Sequence, residues 1–273
     1  MTVLALGPIQ VDYDRARAYV LAHGAAREKA RLEGIVGAVG PARDVTKALE
    51  TLQNADGGFP ARGVAGNPSS IDATCYTLFQ LKDLPPLEGS PMASRAVSYL
   101  RRMQLIDGSW QESPEAADLV GPWARPGAPG AATYLTALAV YNILTLEPEH
   151  ADPISRGVNW LRRAMAQEGE QVPLQTLACA AGAFYKYLGP NAHEASWTVT
   201  QIAKRTMDAS ELAWWLSVAL EVAAGGKYLV PVVQGLGALA AMQREDGAFP
   251  GEEGFEVEAT LTALRVFRGY GVI

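Results

Sequence analysis

Hydrophobic positions follow two patterns that alternate along the chain. One kind of segment has apolar residues every three or four positions with charged residues between them, as in AVSYLRRMQ at 96–104. This spacing predicts an amphipathic helix with one buried face. The other kind, such as AATYLTALAVY at 131–141, is apolar around most of its circumference, which is typical of a buried helix. The alternation predicts helical hairpins that each pair an outer amphipathic helix with an inner apolar one.

A short motif closes three of the outer helices. The pattern Q-x-x-D-G-x-[FW] occurs at 53–59, 104–110 and 243–249. Gly accepts the left-handed conformation that ends a helix, and Asp bonds within its own turn. The first two copies are 51 residues apart and the last two 139 apart, which leaves room for roughly three units of 46 residues. The motif therefore predicts a repeated hairpin.

Two further inner helices lie between the motif copies, at 172–189 and 209–226, and a first hairpin is predicted from 12–23 and 27–39. The total is six hairpins and about twelve helices. We expect one all-α domain over residues 1–273, an α/α barrel with a ring of outer helices around a ring of inner ones. A chain of 273 residues that is 49% apolar has ample material for such a core.

Charge and cysteine content narrow the class of protein. The formal net charge is −6 and basic residues form no run, so we expect no nucleic-acid partner. Two cysteines make no disulfide framework. The first residues lack a secretion signal, which favours a cytoplasmic protein. The charge-free run 127–146 contains Gly, Pro, Thr and Asn, so we expect a loop and a buried helix there, not an integral membrane segment.

The motif followed by a Thr- and Ala-rich inner helix resembles the repeat shared by squalene–hopene cyclases and the β-subunits of protein prenyltransferases. The resemblance covers most of the chain from about residue 40, and it implies an α6/α6 toroid that handles an isoprenoid. In that family the Gln and the aromatic residue fasten neighbouring hairpins. A Gln amide can also bond the terminal carbonyls of its own helix. The fastening residues would be Gln53, Phe59, Gln104, Trp110, Gln243 and Phe249.

The resemblance gives Asp72 a catalytic interpretation. Cyclases of this family that protonate an alkene or epoxide carry D-x-D-D-T here, with the middle Asp as the proton donor. This chain has SIDAT at 70–74, so the donor position is kept while Ser70 and Ala73 replace the flanking acids. Such a donor must stay protonated and strongly acidic, which needs suitable neighbours. The alternative is that Asp72 is the N-cap of its helix.

Two more acids lie at the start of the last inner helix. Glu256 and Glu258 could contribute a catalytic carboxyl, but the last repeat aligns with the others in two ways that differ by one residue. Which Glu faces the lumen therefore stays open. The alternative is that both Glu residues stabilise the first helical turn through the helix dipole.

Aromatic residues on the inner helices could contact an isoprenoid or a carbocation through their ring faces, or they could simply fill the core. Prenyltransferases bind zinc through Asp, Cys and His, but here the spacing is Asp72-x-x-Cys75 and the last inner helix has no His. We therefore expect no metal and no cofactor. The candidate substrate contacts are Tyr76, Tyr134, Tyr141, Trp214 and Phe255.

Three functions remain open. The first is a terpenoid cyclase that starts by protonation from Asp72 in an apolar lumen. The second is a non-catalytic isoprenoid or lipid binder, or a partner subunit or homo-oligomer that kept the fold and lost the acids. The third is a carbohydrate hydrolase, which needs two carboxyls about 5–10 Å apart. The Pro-rich segment 122–130 is placed to act as a lid.

Overall fold

The computed structural model describes residues 9–37, 40–84, 90–147, 151–222 and 230–273. These parts contain twelve α-helices, which confirms the predicted all-α class and helix number. The helices are α1 Tyr13–His23, α2 Ala26–Ile35, α3 Gly40–Leu52, α4 Ile71–Leu81, α5 Pro91–Arg102, α6 Ala131–Leu146, α7 Ala151–Glu168, α8 Leu174–Leu188, α9 His193–Ala203, α10 Ala209–Val222, α11 Val230–Ala241 and α12 Glu256–Gly269. Short 3-10 turns lie at Ala61–Gly63, Pro122–Ala124 and Gly169–Gln171, and strands β1 Phe59–Pro60 and β2 Ser69–Ser70 pair antiparallel.

The chain forms two compact units. One is continuous, Arg43–Ile202, and the other combines Met1–Ala42 with Ala203–Ile273. In the continuous unit α6 packs against α4, α5, α7 and α8. In the other unit α12 packs against α1, α2 and α10, and α10 also contacts α11. Each unit therefore has one central helix, α6 or α12, that packs against several others.

Burial follows the two hydrophobic patterns. In α6, twelve of sixteen residues are buried, because nearly every side chain is apolar or small. In α5, six of twelve are buried, and they form the single stripe that the 3.6-residue period predicts. No helix in the described ranges combines the length and apolar character that crossing a bilayer requires. The charge-free run 127–146 is a loop followed by α6.

All three motif copies build the same turn. The Gln amide nitrogen donates to the carbonyl of the motif Gly at 2.7, 3.1 and 3.2 Å. The Asp carboxylate accepts from the backbone N–H two residues later, at 2.9, 3.0 and 3.1 Å. The Gly has a φ of 87°, 96° and 90°, the left-handed region that a side chain disfavours. The backbone N–H of the aromatic residue then donates at 2.9–3.0 Å to a Thr on the next inner helix, namely Thr74, Thr136 and Thr260.

Each Gln also reaches the next hairpin. The side-chain oxygen of Gln53 accepts from the Arg95 guanidinium on α5 at 2.6 and 2.9 Å, and the second copy accepts from Arg156 on α7 at 3.1 Å. Gln243 pairs with both backbone groups of Asp12, the N-cap of α1, at 2.8 Å each. Each Gln thus bonds both its own turn and the neighbouring hairpin. The motif is architectural.

Candidate functional site

The start of α4 decides what Asp72 can do. Ser70 is the N-cap, with extended backbone, and its side chain accepts from the amide of Ala73. Asp72 is the second residue of the helix, so the interpretation that Asp72 caps α4 is wrong. Ser is as good a cap as Asp, and once Ser70 holds that position the carboxylate of Asp72 points to other elements.

The Asp72 carboxylate is held by one ring donor and lies beside a second aromatic ring. The hydroxyl of Tyr134, on α6, donates to Oδ1 of Asp72 at 2.8 Å. The indole of Trp123, in the 3-10 turn Pro122–Ala124, lies close enough to the same carboxylate to lower its pKa. The predicted acid and the predicted aromatic contact Tyr134 are therefore brought together, while Trp123 was not anticipated as a contact.

The environment of Asp72 favours protonated groups. Burial raises the pKa of the Asp72 carboxyl above its usual value, and the neighbouring Tyr134 and Trp123 side chains only partly oppose this effect. Burial, and then the charge of Asp72, raise the pKa of the Cys75 thiol and of the Tyr134 hydroxyl well above their ordinary values. Burial therefore shifts all three groups towards their protonated forms.

A second carboxylate, which the sequence analysis missed, lies at the N-terminus of α4. Glu112 follows the second motif and is 4% exposed. Its Oε1 accepts from the Ser70 hydroxyl and from the Asp72 amide, both at 2.8 Å, and its Oε2 accepts from the Ile71 amide at 3.0 Å. Burial raises the pKa of Glu112 above its usual value, the three bonds oppose the increase, and the nearby charge of Asp72 adds to it.

The sequence carries a weak signal for Glu112. It stands two residues after the motif aromatic, where the other copies have Ala61 and Gly251. A charge at that one copy marks a departure from the repeat. Nothing in the spacing indicates that this loop residue is buried against α4, because an irregular loop has no periodicity to follow.

The segment between the second motif and α6 is fastened to the hairpin that carries α4. Arg62, which has a φ of 60°, donates to the carbonyls of Leu119 at 3.0 Å and Asp118 at 3.3 Å. The Trp123 side chain is 59% exposed, and its ring lies so close to Gly121 that a Cβ there would approach it to 2.4 Å. The lid role of 122–130 stays a prediction.

The motif contacts fix the register of the inner helices. Thr74, Thr136 and Thr260 accept equivalent bonds, so the residues two positions earlier are equivalent as well. Those residues are Asp72, Tyr134 and Glu258. Glu258, and not Glu256, is the last-repeat counterpart of Asp72.

Glu258 lies in a very different setting from Asp72. The buried Arg31 guanidinium on α2 donates to both of its oxygens, at 2.5 and 2.9 Å. Burial raises the pKa of Glu258, but Arg31, with Arg27 and Arg265, outweighs burial and holds it below the usual value. An ionised, paired carboxylate is a poor proton donor. Glu256 accepts from the amide of Gly254 at 3.0 Å.

The other predicted aromatic contacts occupy varied places. Tyr141 is 1% exposed, its hydroxyl accepts from Lys82 at 3.1 Å, and the Lys82 ammonium lies 4.4 Å from its ring centroid. Tyr76 is 37% exposed on α4. Substrate contact by these residues stays a prediction. Trp214 is half-buried on α10, and Phe255 is 56% exposed at the N-cap of α12.

Two surface cavities lie in the continuous unit. An open groove of about 810 Å³ is lined in part by Asn54, Asp56, Tyr99 and Glu115. A smaller cavity of about 100 Å³ lies beside the 122–130 segment, between Gln111 and the start of α6. Asp72 lines neither of them. Within the described ranges no three His, Cys, Asp or Glu side chains come together as metal ligands.

Known structures share this fold. A crystal structure of a protein from Actinoplanes matches with a TM-score of 0.64 at 18% identity, over 94% of this chain and 98% of that one. A variant of the type II terpene cyclase MstE from Scytonema, in complex with its substrate geranylgeranyl dihydroxybenzoate, matches with a TM-score of 0.59 at 16% identity, over 91% of this chain and 87% of that one. The chain has a terpene cyclase-like toroid fold. No protein-family model and no curated protein sequence matches it.

Proposed function

We propose that this protein is a terpenoid cyclase in which Asp72 starts the reaction by protonating an isoprenoid, and that it is a divergent single-domain member of the squalene–hopene cyclase and prenyltransferase repeat family. One observation carries the proposal: the Asp72 carboxyl is partly buried, accepts a hydrogen bond from the Tyr134 phenol and lies near the Trp123 indole, with its pKa raised. Groups with perturbed pKa values concentrate at functional sites. The shared fold and the repeated motif support the family assignment.

Two features of the geometry support Asp72 as the proton donor. Burial raises the pKa of its carboxyl, and the Tyr134 hydroxyl donates to Oδ1, which leaves Oδ2 to carry the proton. The π electrons of a substrate alkene form the new C–H bond while the O–H bond of Asp72 breaks. The carboxylate that remains is stabilised by the bond from Tyr134, which strengthens as the charge develops.

The carbocation then closes the ring. It forms on the more substituted carbon, a second alkene of the same chain attacks it, and loss of a proton ends the reaction. The product is an isomer of the substrate. The Trp123 indole lies near the acid and can offer its ring face to the cation. The substrate class we propose is a linear prenyl chain, by analogy with the prenylated benzoate bound by the Scytonema cyclase.

The test is turnover of a small panel of linear substrates: squalene, geranylgeranyl diphosphate and geranylgeranyl dihydroxybenzoate. Mass spectrometry of the wild-type reaction should find a cyclic isomer that gains one deuteron in D2O. Asp72→Asn keeps the oxygen that accepts from Tyr134 but has no acidic proton, so the rate should fall by about 10²–10⁴-fold. Asp118→Asn, an exposed Asp in the same unit, is the matched control and should retain activity. Turnover by Asp72→Asn at the wild-type rate would refute the role of Asp72.

A second candidate is a non-catalytic isoprenoid-binding protein. The observation in its favour is that Ser70 and Ala73 stand where the family's cyclases carry acids beside the donor. Quenching of tryptophan fluorescence by the same substrates, with no product in any reaction, would support binding without catalysis. Product from any member of the panel would exclude it.

A further inference from the structure

The acid that flanks Asp72 in space comes from a different hairpin. On α4 the neighbours of Asp72 in the motif region are Ser70 and Ala73, which have no carboxyl group. Glu112, from the loop after the second motif, instead places a carboxylate on the amide of Asp72 itself, at 2.8 Å. The structure thus restores a pair of carboxyl groups that the local sequence lacks.

The contacts of Glu112 favour its ionised form. Backbone amides can only donate, so the Ile71 and Asp72 amides require acceptor oxygens from Glu112. The Ser70 oxygen already accepts from the Ala73 amide, so its own proton is directed at Glu112. Three donors at the N-terminus of a helix stabilise a negative charge.

Two nearby carboxyl groups do not ionise independently, because the second negative charge is repelled by the first. We infer that Glu112 is the positioning residue for Asp72: it fixes the backbone of the acid and, as the ionised member of the pair, keeps the proton on Asp72. This inference rests on the proposed function of Asp72 as a proton donor. After transfer to the substrate, the second negative charge is balanced by the new carbocation.

Two thiols and two phenol hydroxyls lie around the pair. Cys75 lies on α4 itself, Tyr134 comes from α6, and burial raises the pKa of both. The buried thiol of Cys179 faces the group from α8. Burial also raises the pKa of Tyr99, which faces Glu112 from α5. The ionisation of each carboxyl group in the pair therefore depends on the charge of the other.

The first test is a 13C NMR titration of the side-chain carboxyl groups in the wild-type protein, with Asp72→Asn used to assign the Asp72 signal. We expect the Glu112 signal to titrate at lower pH than the Asp72 signal. If Asp72 ionises first, the inference is wrong. This experiment needs neither substrate nor turnover, so it can fail while the proposed function holds, and the function can fail while the titration order holds.

The second test removes the charge. Glu112→Gln should shift the Asp72 titration to lower pH, and with it the alkaline limb of the pH–rate profile, because the repelling anion is gone. Glu115→Gln, three residues along the same loop and exposed, loses the same formal charge and should shift neither. A purely structural role would lower the rate of Glu112→Gln without moving either curve. An unmoved Asp72 titration in folded Glu112→Gln would overturn the inference.

Discussion

The motif turn makes a quantitative prediction for Gly108. Gly108 has a φ of 96°, and a Cβ built on it would lie 2.6 Å from the carbonyl oxygen and 2.8 Å from the carbonyl carbon of Arg156. Left-handed backbone costs an ordinary residue about 1–2 kcal/mol. Forcing an extra carbon against packed backbone costs about 1–3 kcal/mol more. Gly108→Ala should therefore lower the free energy of unfolding by about 2–5 kcal/mol, a large share of the 5–15 kcal/mol typical of a domain.

Gly66 provides the matched control. Its φ is 89°, nothing lies within 4 Å of a Cβ built there, and both glycines belong to the unit Arg43–Ile202. Gly66→Ala carries the backbone cost without the clash, about 1–2 kcal/mol. The change that either alanine makes in the unfolded chain is the same, so it cancels in the comparison.

The assay is urea unfolding followed by far-UV circular dichroism, with the free energy of unfolding from linear extrapolation. Gly108→Ala should be less stable than Gly66→Ala by about 1–3 kcal/mol. Equal losses in the two variants would refute the argument, because they would show that the close approach to α7 carries no energy. The motif glycine would then be required only for its backbone conformation.

Two other predictions concern the ion pair between Arg31 and Glu258 and the buried thiol of Cys75. Glu258→Ala removes the bidentate partner of buried Arg31 and should cost about 3–5 kcal/mol in urea unfolding. Because the pKa of Glu258 is lower in the native protein than in the unfolded chain, its carboxylate stabilises the fold above about pH 4.3, and this stabilisation is lost as the pH falls through the native pKa. Glu258→Gln should therefore make the free energy of unfolding depend less on pH in the acid range. A pH dependence like that of the wild type would contradict this. Burial raises the pKa of Cys75 well above its usual value, so iodoacetamide at pH 8 should alkylate it only in urea, and rapid labelling of the native protein, seen by mass spectrometry, would show the site to be open.

Much of the fold could be predicted because it depends on local patterns. The alternation of amphipathic and apolar segments indicates which helices are buried. Helix α6 is buried because nearly all of its side chains are apolar or small, as its sequence shows. The motif at Gln53 is equally local, since its Asp and Gly complete one turn. The partner of each Gln was harder to predict, because Arg95 and Asp12 belong to other hairpins.

The site was harder to predict because its contacts are not local. Ser70 and Asp72 are both good caps, and only the backbone shows which of them begins α4. Glu112 approaches that helix end from a loop forty residues away in sequence. The register of the last repeat was ambiguous by one residue from the sequence alone, and the bond from Phe249 to Thr260 fixes it.

The bond between Gln243 and Asp12 affects the order in which the protein can assemble during synthesis. The unit that contains it is discontinuous, Met1–Ala42 with Ala203–Ile273, so α1 and α2 leave the ribosome long before α11 and α12 exist. The continuous unit Arg43–Ile202 has all its helices earlier and can fold first. Until translation nears its end, the N-terminal helices have no α12 to pack against, and their apolar faces are exposed to chaperones.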